Sequence, residues 1–176
     1  MTKPEQAEVS GSEATNGEGP DGGYAHEHRP LAGYSVLTAT FAVAFAGSLF
    51  AARRAGRDVP EQLGPWDLVT AGMATHKLSR LITKDKVTSF VRAPFVRYEE
   101  SAGRGELNEK PRGSGLRRAA GELLVCPYCV GNWVASAFGI GMVAAPRYTR
   151  LIAFIYTAET VSDFLQIAYR AAEDRA

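Results

Sequence analysis

The residues best suited to chemistry stand together at Cys126-Pro127-Tyr128-Cys129. Proline suits the first position of a helix, where its missing N–H is not needed, so Pro127 sets Cys126 beside the unpaired amides of a helix N-terminus. Those amides and the helix dipole favour a thiolate, and two cysteines in such a turn can close a disulfide. Three readings stay open here: a thiol redox pair, two ligands of a metal site, or two small apolar side chains packed at a helix start. Zinc wants four ligands, and only His76 is placed to join the pair. A second titratable group, His76, Arg80, Glu159 and Asp163, falls within apolar stretches, where a charge costs about 3 kcal/mol unless it is paired. Arg80 or His76 facing Asp163 is the expected pairing. It would act as an ion pair that fixes helix register or, alternatively, as part of a proton or ion relay.

The Cys-Pro-Tyr-Cys tetrapeptide is similar to that of glutaredoxins. A thioredoxin-like fold, however, needs a parallel sheet of βαβ units and a later proline that precedes a strand, and the only later proline is Pro146. Redox activity would therefore rest on thiol chemistry alone. No cofactor is called for, and the expected role is structural or partner-assembling rather than enzymatic.

The elements that hold these residues are apolar helices. The chain has 176 residues, 20 Lys+Arg against 19 Asp+Glu, and a mean hydropathy of −0.14. That ordinary average conceals a partition. Residues 1–30 are rich in Gly, Glu, Ser and Pro and cannot bury enough surface to offset their ordering entropy, so a disordered polar tail is expected, with His26 and His28 solvated in it. Residues 31–52 then run for 22 positions without a charge, enough at about 1.5 Å per residue to cross a hydrocarbon core of roughly 30 Å. A second uncharged run, 123–146, has the same reach, and its Gly131, Ala135 and Gly139 form a small-residue strip suited to close helix packing. Residues 65–82 and 151–169 are weaker candidates, either spanning or lying at the interface as amphipathic helices. On the latter, Tyr156, Glu159, Asp163, Gln166 and Arg170 make one polar stripe.

The expected fold is thus all-α: a polytopic membrane protein of about four transmembrane helices, with 63–170 as its helical membrane domain and 171–176 as a C-terminal tail. Four crossings put the N-terminus, the 83–121 loop and the C-terminus on one side, with 13 Lys/Arg against 5 in the opposite loops. The positive-inside rule then places both termini in the cytoplasm and the protein in the inner membrane. Within the loop, Lys84, Lys86, Phe90, Arg92, Phe95 and Arg97 interleave basic and aromatic side chains, as befits a segment bound to anionic headgroups, and the glycines and charges that follow suggest a flexible linker. Membrane lipids are the expected partners, with a protein partner or a second copy of the chain beside them. Near-neutral net charge gives no ground for nucleic-acid binding.

The run GPWDLVTAGMATHKLSRLITKDKVTSFVRAPFV, followed by a basic linker and GELLVCPYCVGNWVAS, resembles the bacterial membrane family known as domain of unknown function 1360, which includes sporulation-associated members. The resemblance covers about residues 63–170. It is carried by Thr83-Lys84-Asp85, by Arg92-Ala93-Pro94-Phe95, and by the Cys pair with Gly131 and Trp133. It implies an integral membrane helical protein and no particular reaction.

Overall fold

The computed structural model describes residues 29–60 and 63–175. The expected tail, with His26 and His28, lies outside these except for its last two residues. The chain forms α1 (Leu31–Arg54), α2 (Pro65–Thr83), a 3₁₀ turn (Lys86–Thr88), α3 (Ser89–Arg92), β1 (Val96–Gly103), β2 (Glu106–Pro111), α4 (Gly115–Val125), α5 (Pro127–Ala144) and α6 (Pro146–Glu173). Helix therefore dominates, but the all-α expectation is corrected by an antiparallel β-hairpin in the segment read as a flexible linker.

Local chemistry explains the boundaries. Helix α1 stops at a left-handed Gly56 (φ 71°), whose N–H bonds Arg53 O at 3.0 Å while Arg57 N–H bonds Ala52 O at 3.0 Å. This Schellman arrangement satisfies carbonyls that a helix end leaves open. Prolines at the first position open α2, α5 and α6. The hairpin turns at Arg104 (φ 53°) and Gly105 (φ 80°), a two-residue connection whose left-handed backbone matches strand twist.

Two described helices, α1 and α6, are long and apolar enough to cross a membrane alone. The run at 123–146 is not the single straight helix expected of it. Pro127 drives Cys126 into an extended conformation (φ −105°, ψ 103°), so α4 and α5 meet at 82°, and it is the bent pair taken together that is long and apolar enough for a span. Helix α2 has 19 residues but carries Asp67, His76, Lys77 and Arg80, and does not qualify by apolarity. By length and composition alone the described helices supply two spans, or three if the bent pair counts as one. Helix α6 also continues through Glu173, into the stretch expected to be a tail.

The helices run alternately between two ends. At one end Tyr34 of α1 donates to Glu122 of α4, and Arg80 near the end of α2 bonds Glu106 at the start of β2. At the other, Arg57 donates to Ala144 O at the end of α5, and Asp67 of α2 pairs with Arg150 of α6 at 2.8 Å. The hairpin, α4, the start of α1 and the start of α5 thus share one end. Between the ends, Ala74 of α2, Phe138 of α5 and Ala153 of α6 form the core, and the two alanines let the backbones approach closely. Thr157 and Thr160 of α6 donate to Thr70 O and Met73 O of α2 at 2.9 and 3.0 Å, so hydroxyl bonds also fix this pair.

Candidate functional site

Cys126 is the N-cap residue of α5, and its Sγ accepts the Cys129 N–H at 3.2 Å. The two sulfurs are joined in a disulfide, with Cα atoms 5.3 Å apart. Pro127 sets this geometry: it ends α4, starts α5 and leaves one turn between the cysteines. Tyr128, between them, is 91% exposed. The reading of the cysteines as free packing residues is corrected by the bond, which leaves neither sulfur as a thiolate ligand. Among the described residues no group of three or more His, Cys, Asp or Glu is gathered as a metal would need.

Cys129 borders an open cavity of about 450 Å³ lined by α1, α4 and α5. Leu37 and Phe41 of α1, Leu123 of α4 and Trp133 of α5 supply apolar walls. Phe41 meets Trp133 edge to face, ring centroids 5.0 Å apart. Polar groups converge on the same space: the Tyr34 hydroxyl, the Glu122 carboxylate and the Asn132 amide. Glu122 accepts from Tyr34 and also from Arg118 Nε at 3.0 Å, so the carboxylate is held from two sides. Sequence spacing gave no sign of this cavity, because its walls come from segments almost a hundred residues apart.

The second candidate group is rearranged. Lys77, rather than His76 or Arg80, pairs with Asp163, at 2.7 Å. His76 is exposed, with its ring 6.4 Å from that of Phe164 on α6. Arg80 turns to Glu106, which its Nη2 reaches at 2.6 Å through both oxygens. Spacing along the helix axis does not decide which neighbour faces the partner helix, because adjacent residues point about 100° apart. Glu159 is exposed, one turn before Asp163.

The basic and aromatic segment divides in two. Lys86, Phe90 and Arg97 are exposed, with Val87 and Phe90 each 75% accessible, while Lys84 and Phe95 are half-buried. Arg92 departs from the expectation of a headgroup ligand and is 0% exposed. Its Nε bonds Glu109 at 2.5 Å, Nη1 bonds Ile82 O at 2.7 Å and Thr88 Oγ1 at 2.9 Å, and Nη2 bonds Asp85 O at 3.0 Å. One guanidinium thereby ties the end of α2, the 3₁₀ turn and β2 together. Backbone bonds from Leu107 N to Lys84 O and from Lys86 N to Gly105 O complete the seat. The small-residue strip is also corrected: Ala135 and Gly139 face outward, and only Gly131 lies toward α2, near Ser79. Close approach occurs instead at Gly121, where an added Cβ would fall 2.6 Å from Phe95 O.

A family model described as a protein of unknown function (DUF1360) matches residues 70–169. UPF0713 protein YngL of Bacillus subtilis (strain 168) is 31% identical over 97 residues, which is 54% of this chain and 72% of that protein. No solved structure matches.

Proposed function

This chain belongs to the DUF1360 family, and from that premise we propose that it is a multi-pass protein of the cytoplasmic membrane with a structural or partner-assembling role. In this reading α1, α2, α5 and α6 cross the bilayer, and the hairpin with α3 and α4 forms a folded platform at one membrane face. The observation that carries it is the alternation of helix ends: α1 runs away from the platform, α2 returns, α5 leaves and α6 returns. Charges that a single α2 could not carry into lipid are matched by α6 and by the platform, through Lys77–Asp163, Arg80–Glu106 and Asp67–Arg150. Exposed Val87, Phe90 and Val91 beside Lys86 and Arg97 suit contact with anionic headgroups on the platform side. The 13 to 5 excess of Lys/Arg orients that side toward the cytoplasm.

The reading is tested by reporter fusions that are active on only one side of the membrane. Fusions after Asp58 and after Ala176 should report opposite sides, and the protein should stay in the membrane through alkaline washing. Reports from the same side, or release by the wash, would remove the proposal.

A second reading, a membrane thiol redox protein, is favoured by the Cys126–Cys129 disulfide itself. A closed bond at an end oriented to the reducing cytoplasm is expected to be transient and catalytic rather than structural.

A further inference from the structure

We propose that the cavity between α1, α4 and α5 binds the ring of a lipid-soluble quinone, and that this quinone takes electrons from the Cys126/Cys129 dithiol. The inference rests on the thiol redox reading and adds its electron acceptor. Cys129 is at once half of the disulfide and part of the cavity wall, so anything bound there lies against the redox pair. The volume falls within the roughly 300–1,000 Å³ of small-molecule sites, and the lining combines apolar and aromatic walls with a few converging polar groups, the pattern of such sites. An aromatic ring with two carbonyls matches this lining: Phe41 and Trp133 offer flat apolar contact, and the Asn132 amide offers a hydrogen bond to carbonyl oxygen. Phe41 stands ten residues into α1, about 15 Å along the helix, so the cavity reaches to a depth where a membrane-dissolved molecule can enter.

The reaction balances within these parts. In the reduced protein the Cys129 amide N–H steadies a thiolate at Cys126. The Cys126 thiolate and the Cys129 thiol form the S–S bond and give up two electrons and one proton; with one further proton from water, equal to that released when Cys126 ionised, the quinone carbonyls become the two hydroxyls of a hydroquinone. Glu122, which lines the same cavity as Cys129, is the carboxylate that would carry protons toward the bound ring.

The experiment uses the full chain in lipid nanodiscs, reduced with dithiothreitol, freed of reductant without air, and mixed with duroquinone. This quinone is fully substituted, so thiols cannot add to its ring. Hydroquinone is followed by ultraviolet absorbance and the thiols by alkylation mass shift. One hydroquinone should form per dithiol, at a rate that saturates with quinone, and Cys126→Ser or Cys129→Ser should abolish it. Thr38→Trp, which fills the cavity from α1, should slow the reaction by about tenfold or more, while reoxidation by water-soluble oxidised glutathione stays unchanged. Leu37→Phe serves as a milder filler should Thr38→Trp lose its helical signal. Reoxidation by glutathione disulfide but not by quinone, or a quinone rate that is unsaturable and indifferent to the fillers, would overturn the inference and leave the thiol reading standing. A pair that dithiothreitol cannot open, or that no oxidant closes again, would sink both.

Discussion

Arg92 shows how much of this protein depends on single polar side chains. Its guanidinium is wholly buried and its partner Glu109 is 5% exposed, so removing either one leaves an uncompensated charge out of water. Breaking such a pair costs about 3–5 kcal/mol. Arg92→Met should lower stability in detergent by that amount, as read from denaturant unfolding, and the double variant Arg92→Met/Glu109→Met should regain much of it. Arg92→Lys should behave more like Met than like Arg, because an ammonium cannot aim donors at Ile82 O, Asp85 O and Glu109 together. None of this was legible locally. In sequence, Arg92 stands among Phe90, Val91 and Phe95 as an interfacial residue would, and the carboxylate that buries it lies 17 positions away. Cys126 was the opposite case, since Pro127 alone announced the helix start and so the neighbourhood of the sulfur.

At the scale of elements, the helices were read from composition and the hairpin was not. Its strands carry Arg97, Glu99, Glu100, Glu106, Glu109 and Lys110 with few β-branched residues, so strand propensity was silent. What defines it is the left-handed turn at Arg104-Gly105 and its seat against α2 and α4. The break at Pro127 was hidden for a related reason: a count of uncharged residues does not register backbone direction. Packing of α4 on the hairpin tolerates nothing at Gly121, where a Cβ would meet Phe95 O at 2.6 Å and Pro111 Cβ at 3.1 Å. Gly121→Val should therefore unseat α4 from the platform and cost about 1–3 kcal/mol through overpacking. Hydrogen exchange should rise in β1, β2 and α4 while the α2–α6 contact stays protected. Uniform loss across all helices would show that the platform and the bundle unfold as one unit.

For the whole molecule, the sequence conveyed the partition between apolar helices and a polar connecting region, because that partition is set by solvent preference and survives averaging. It did not convey how far the polar region is built into the fold. If the platform rests on anionic headgroups, raising the anionic lipid content of nanodiscs should raise the melting temperature, and Lys86→Gln with Arg97→Gln should remove most of that gain, about 1 kcal/mol per basic residue. Equal melting in neutral and anionic discs would place the patch away from the lipid.

The knot around Arg92 also bears on how the chain is made. Ile82 O, in the last turn of α2, is satisfied by a side chain ten residues downstream, and that side chain is neutralised by Glu109, later still. A ribosome delivers these groups in order, so the carboxyl end of α2 must wait, unfinished, until the second strand has emerged. Completion of the second helix and assembly of the hairpin are therefore one event in folding, and a pause between them would leave a positive charge with nowhere to settle.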